Sequence, residues 1–200
     1  MRPTRGHGWL EGIISKSRMS MVMKHIPPSL HQGEVLDIGC GSYPLFLIRS
    51  PFRRKVGVDQ VNSSWANSIG ASSTEVEFHQ LSLNGEIRLP FSDSSFGCIT
   101  SLACIEHLEP ASLPCLFAEI YRVLKPTGTT LITTPHALAD KPLRLLAKIG
   151  MVSKVEIEEH KSLFMNQQIF DLFLGSGFNS EKIVVNSFQF GLNILGVAIK

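Results

Sequence analysis

Two hundred residues, 44% hydrophobic and 18% charged, describe a single globular domain with a sizeable core and exclude a disordered, collagen-like or low-complexity chain. Lys plus Arg at 19 against Asp plus Glu at 17 leaves a net charge of +2, too balanced to indicate a nucleic-acid partner. No apolar run reaches the about 18 residues of a spanning helix, and Met1 to Gly8 lack the apolar stretch of a secretion signal, so a cytoplasmic protein is expected.

Residues 1–30 read as a lead-in and 31–200 as one domain. The lead-in carries five basic residues, Arg2, Arg5, Lys16, Arg18 and Lys24, against the single acid Glu11, and reads as an extended or helical segment with a solvated face. From Glu34 onward short apolar runs alternate with helical periodicity, the pattern of a mostly parallel sheet covered by helices. Glu34–Ile38 is a first strand, ended by Gly39 and Gly41. Pro44 then suits the opening turn of a helix over Leu45–Arg49, where its missing N–H is not needed. Residues 55–58 form a second strand running into Asp59, residues 76–81 a third, and a helix over 63–68 lies between them. Residues 96–101 are a fourth strand.

Leu113, Leu116, Phe117, Ile120 and Leu124 then recur at three- and four-residue steps, an amphipathic helix that tolerates Pro110 and Pro114 near its start. Lys125-Pro126-Thr127-Gly128 reads as a turn and 129–134 as a β-branched strand. Residues 137–159 interleave Leu143, Leu145, Leu146, Ile149 and Met151 with Lys141, Arg144, Lys148 and Lys154. An ordinary amphipathic helix is the leading reading there. A lid or substrate segment over 137–160, or peripheral contact with a membrane surface, is the alternative. A helix over 166–174 stops at Gly175 and Gly177, and 183–190 with 194–200 form two closing antiparallel strands joined through Gly191. Cys40, Cys98, Cys104 and Cys115 form no CxxC pair and no zinc-ligand spacing, so reduced thiols and no metal are expected.

Chemistry concentrates where the first strand ends. Val35-Leu36-Asp37-Ile38-Gly39-Cys40-Gly41 delivers a strand into a helix through glycines that let a ligand approach the backbone. Asp59 follows Gly39 by 20 residues at the end of the second strand, from which a carboxylate can accept from both hydroxyls of a ribose. Two adenosine cofactors share this layout. A dinucleotide would want a third glycine where Pro44 stands, and Asp37 would set a negative charge beside its pyrophosphate, whereas a cationic ligand gains from Asp37. The balance lies against an NAD(P)-dependent oxidoreductase.

Four stretches, VLDIGCGSYP from Val35, VGVDQ from Val56, LPFSDSSFGCITSLACIEHL from Leu89 and EIYRVLKPTGTTLITTPH from Glu119, make the chain resemble the class I S-adenosylmethionine-dependent methyltransferases of the type 11 or type 23 branch. The resemblance implies a three-layer Rossmann-like α/β fold, its seven-stranded sheet ordered 3-2-1-4-5-7-6 with strand 7 antiparallel. It implies S-adenosyl-L-methionine as cofactor, S-adenosyl-L-homocysteine as product and a small-molecule or lipid-like acceptor, with oxygen or carbon favoured over nitrogen. Carried over by position, Asp37, Gly39, Cys40 and Gly41 would surround the methionine moiety, Asp59 the ribose and Gln60 the adenine. Ser101 and Leu102 would offer carbonyls to the ammonium group. Family members place an acid after strand three, where this chain has Ser82 and Leu83, and another after the Ser-Phe of strand four, where it has Gly97. These departures keep a noncatalytic scaffold of the same fold as the second reading. His107 and His136, beyond strand ends, are the candidate bases. Glu106 reads as structural, His79 as a strand-face residue, His160 as a loop residue and Glu156, Glu158 and Glu159 as solvated charge.

Overall fold

The run Glu34-Val-Leu-Asp-Ile38 has no polar alternation, and four of its five side chains are buried, as expected of a central strand covered on both faces. The computed structural model describes residues 11–60, 76–139 and 161–200. Among them, β1 (Glu34–Ile38), β2 (Arg54–Asp59), β3 (Val76–Gln80), β4 (Phe96–Leu102), β5 (Leu124–Pro135), β6 (Ile183–Phe188) and β7 (Asn193–Ile199) form one sheet ordered β3-β2-β1-β4-β5-β7-β6. β7 alone runs antiparallel, pairing β5 on one side and β6 on the other. The helices are α1 (Glu11–His25), α2 (Leu45–Arg49), α3 (Leu113–Val123) and α4 (Asn166–Gly175).

Alternation of side chains sorts the sheet into two cores. Leu36, Val56, Ile99, Ile132 and Ile194 point to one face and pack with Leu116, Phe117 and Ile120 of α3 and Ile169 and Phe173 of α4. Val35, Cys98, Leu131 and Leu195 point to the other face, where Val22 and Ile26 at the end of α1 and Phe46 and Leu47 of α2 cover them. The result is the expected three-layer arrangement. It brings the carboxyl ends of β1, β2, β4 and β5 to one edge, with residues 37, 57 and 100 side by side across three strands.

Most expected boundaries shift by one or two residues, and two differ for a physical reason. Leu124 opens β5 instead of closing α3, because its backbone turns extended at φ −75° and ψ 132° right after Val123. Lys125–Gly128 is not a turn ahead of a strand but an excursion within β5. Phe96 pairs with Leu124 and Cys98 with Thr129, so the added residues bulge out and are held where Thr127 N donates to Lys200 O at 2.9 Å. The lead-in contains the helix α1 and a short 3₁₀ turn, Pro28–Gln32. The helix expected over 63–68 lies outside the described residues, as do His160, the three acids at 156–159 and all of the 137–160 segment except Ala137–Ala139, a 3₁₀ turn. Among the described residues no helix is long and apolar enough to cross a membrane.

Gly196 of β7 marks where α4 sits down on the sheet. A Cβ there would lie 2.8 Å from Ile169 Cγ2 and 2.8 Å from Phe173 Cε2. Gly196→Val is therefore expected to destabilise the fold by about 1–3 kcal/mol through overpacking, measured by urea denaturation.

Candidate functional site

β1 must turn sharply at its end to enter α2, and Gly39 and Gly41 make that turn with φ of +74° and +73°. The two glycines serve different ends. A Cβ on Gly39 would overlap the Cys104 sulfur, so glycine lets the turn after β4 press against the loop. A Cβ on Gly41 would meet nothing within 4 Å, so the backbone there borders open space. Gly39 N and Cys40 N both donate to Val58 O, at 2.8 and 3.3 Å, which ties the loop to β2. Gly41 N donates to Asp59 Oδ2 at 2.7 Å. The glycine loop and the acid 18 residues beyond Gly41 thus form one structure.

Asp37, 4% exposed, lies below this loop and accepts from Thr100 Oγ1 at 2.7 Å. Burial pushes its carboxyl up to about 7, the Thr100 hydrogen bond pulls it down, and the neighbouring Asp59 adds to the rise. Burial likewise raises the Cys40 thiol, with Asp37 and Asp59 adding to it, and the Cys98 and Cys104 thiols rise for the same first reason. All four cysteines are free thiols. Cys40 packs over Gly57, where a Cβ would come within 2.7 Å of its sulfur.

Gln60 is exposed just past β2, and its carbonyl accepts from Gln80 Nε2 at 3.2 Å. Ser82 is exposed with its hydroxyl turned to the Asn84 backbone, while the Leu83 side chain is 2% exposed and belongs to the core. Leu83 therefore has only its backbone to present. Gly97 lies on β4 well away from the glycine loop, and a Cβ there would touch Leu30 at an ordinary 3.6 Å. Ser101 is fully buried and Leu102 partly so, at the end of β4.

His107 follows in a 3₁₀ turn, Ile105–His107, and is partly exposed. Its neighbour Glu106 is 1% exposed and accepts from Thr134 Oγ1 at 3.0 Å, while the Glu106 carbonyl accepts from Lys161 N and Ser162 N. Burial pushes the Glu106 carboxyl up, opposed by His107 and Arg18. These bonds are the structural role read for Glu106. His136 is 7% exposed, and its Nδ1 accepts from Leu138 N at 3.0 Å. With Nδ1 accepting, the N–H of the ring is on Nε2. His79 lies on β3, 2.7 Å from Glu77 Oε1.

Three participants escaped the sequence reading: Thr100, which answers Asp37, Cys104, which seats Gly39, and Thr134, which answers Glu106. Thr100 meets Asp37 through the pairing of β1 with β4, and the other two contacts are made by turns beyond the strand ends. Only the regular alternation along β4, placing Thr100 level with Asp37, carried a trace of the first.

A methyltransferase-domain family model matches residues 36–132, from β1 into β5. A protein of Mycolicibacterium smegmatis named "Probable S-adenosylmethionine-dependent methyltransferase" is 27% identical over 147 residues, which make up 71% of this chain and 55% of that one. Over this stretch the chain is similar to the class I S-adenosylmethionine-dependent methyltransferases. A demethylmenaquinone methyltransferase of Symbiobacterium thermophilum is 30% identical over 141 residues, 66% of this chain and 52% of that protein. The chain spans just over half the length of each relative. The Burkholderia thailandensis 1,6-didemethyltoxoflavin-N1-methyltransferase, solved with 1,6-didemethyltoxoflavin and S-adenosylhomocysteine, shares the fold at a TM-score of 0.65 and 16% identity, over 96% of this chain and 80% of that one.

The family's cofactor is S-adenosyl-L-methionine, and the residues present fit it. Open space borders the Gly41 backbone, a carboxylate that can accept from a sugar diol stands beside it, and the buried acids Asp37 and Asp59 suit a ligand with cationic groups. The nicotinamide reading gives way to it.

Asp37 also sets a pH dependence. Its carboxyl holds a proton up to about 7 in the folded chain but only to 3.8 when unfolded, so within that window the folded state binds more protons. Stability of the ligand-free chain is thus expected to fall as pH rises through the window, by a few kcal/mol. Asp37→Asn keeps an acceptor for Thr100 and should gain on the wild type between pH 4.5 and 7.5, as read by urea denaturation. An equal slope in both proteins would remove Asp37 as the cause.

Proposed function

We propose that the chain transfers a methyl group from S-adenosylmethionine to a small-molecule or lipid-like acceptor, at oxygen or carbon ahead of nitrogen. The observation that carries this reading is the Gly41–Asp59 hydrogen bond, which presents a carboxylate and a bare backbone turn together at the mouth of the sheet. The relatives' names span an apolar quinone and a ring nitrogen, which supports a small acceptor without choosing the atom.

The bound cofactor supplies a methyl group already activated by its sulfonium, leaving the protein to align a nucleophile and exclude water. In this reading Asp59 accepts from the ribose hydroxyls, with Gln60 beside the adenine and the Ser82–Leu83 backbone at its edge. Gly39, Cys40 and Gly41 let the amino-acid end lie against the turn, and the Ser101 and Leu102 carbonyls accept from its ammonium. Asp37, ionised as a cation arrives, steadies that positive charge from beneath the loop.

Of the two histidines, His107 is the better base. His136 already uses its Nδ1 lone pair to accept from Leu138 N, so taking up a proton there would need the ring to give up its cap on the 137–139 turn. It is better suited to donate from Nε2 to an acceptor oxygen. The exposed Ser82, in place of an acid, favours the second reading, a noncatalytic protein that keeps the fold as a scaffold.

Asp59→Ala is expected to weaken S-adenosylhomocysteine binding by about 1–3 kcal/mol, measured calorimetrically. Unchanged affinity in a folded variant would withdraw Asp59 from the ribose, and no heat from the wild type at millimolar ligand would favour the scaffold. Extracts incubated with isotopically labelled methyl donor and analysed by mass spectrometry should reveal a labelled acceptor. With that acceptor, His107→Ala should lower turnover more than cofactor affinity; equal turnover would exclude it as base.

A further inference from the structure

The edge of the sheet that carries Gly41 and Asp59 continues past β5 into a rim knitted from separate chain segments. His136 N donates to Leu192 O at 2.9 Å, Ala137 N donates to Phe164 O at 2.7 Å, and Gln189 Nε2 donates to Ile14 O of α1 at 3.3 Å. Four large apolar side chains of this junction face water: Leu138 at 73% exposure, Leu163 at 39%, Met165 at 43% and Phe190 at 106%. Polar surroundings would ordinarily select against such a cluster beside a functional cleft.

Phe190 stands out among them. It lies in the turn between β6 and β7, where Gln189 and Phe190 hold φ of 52° and 58° ahead of Gly191 at 80°. This left-handed backbone disfavours a bulky aromatic, and glycine or asparagine would adopt it with less strain. The ring buries nothing in return. A strained turn that presents a fully solvated aromatic does not serve the fold, and strain of this kind collects where surfaces are used.

The four apolar groups stand on three separate turns instead of along one helix or strand. They are protruding tips, and a packed protein interface needs a continuous complementary face, whereas a fluid lipid interface accepts tips. Charge points the same way. The basic helix α1, with Lys16, Arg18 and Lys24 against Glu11 alone, meets the rim near its start through the Gln189–Ile14 bond. On α1, Lys16 is exposed within one turn of Ile14 and lines a shallow groove with Arg49 beside Met19, Met23 and Phe46.

We propose that this rim docks on an anionic phospholipid bilayer, with Phe190 and Leu138 entering the acyl boundary and Lys16 of α1 resting on the headgroups. An acceptor dissolved in the bilayer would then reach the strand ends without crossing water. The docking surface is independent of which atom is methylated, and its test needs neither cofactor nor acceptor.

The test is flotation of the full chain with vesicles of phosphatidylcholine alone and of phosphatidylcholine mixed with phosphatidylglycerol, at low and high salt. The wild type should float with the anionic vesicles and lose binding as salt screens the headgroups. Phe190→Asn should lower the partition coefficient about tenfold while leaving the melting temperature unchanged or raised, because asparagine relieves the turn. Leu138→Ser should lower it further. Failure of the wild type to float with anionic vesicles, or flotation of Phe190→Asn equal to wild type, would overturn the proposal. So would a dimer in sedimentation velocity that Phe190→Asn dissolves, since the rim would then serve self-association.

Discussion

The hydrogen bond from Gly41 N to Asp59 Oδ2 joins the two pieces of chain that the proposed site would present to a nucleoside at once. It is possible because β1 and β2 pair in parallel with Ile38 level with Val58, so that the loop leaving one strand and the acid ending the other emerge together. The Val58 carbonyl strengthens the junction by accepting from both Gly39 N and Cys40 N. A carboxylate already held in place by the backbone loses less conformational freedom when a ligand arrives, which is the physical content of preorganisation. Asp37 and Thr100 extend the same logic one strand further, since β4 lies on the other flank of β1.

What could be read in the linear sequence was whatever is encoded locally. Glu34–Ile38 and Leu45–Arg49 follow from an apolar run, two glycines and a proline within one stretch of chain, and both stand where the pattern set them. The strand order came from resemblance, and the antiparallel closure also from two apolar runs flanking Gly191. The excursion in β5 was hidden because Lys-Pro-Thr-Gly has the composition of a turn, and only pairing with β4 on either side of it shows the strand continuing. Site residues divided in the same way. Gly39, Gly41 and Asp59 announce themselves by residue type and spacing. The partners of Asp37 and Glu106 lie 63 and 28 residues away and belong to the third dimension. Leu83 is read from position alone, and because its side chain is committed to the core, any part it takes in the proposed site falls to its backbone.

The two faces of the sheet are unequal. The face under α3 and α4 holds the larger aromatic group, with Phe117, Phe173 and Phe178 stacked edge to face, and Gly196 lets α4 approach the strands closely. Rigid packing there anchors β4 and β5, whose ends carry Ser101 and Thr134. The opposite face is covered by the lead-in helix, methionine-rich at Met19, Met21 and Met23, an adaptable surface that tolerates shifts at the rim.

The placement of β7 has a consequence for synthesis. Asn193–Ile199 comes last of the seven strands yet is wedged between β5 and β6 in the sheet. As the chain leaves the ribosome, β6 emerges with no neighbour to pair with, and β5 keeps a bare flank until residue 199 is free. The half-sheet bearing the glycine loop can assemble during translation, whereas the other half must wait, which leaves its strands open to wrong partners and makes chaperone capture most useful in that interval.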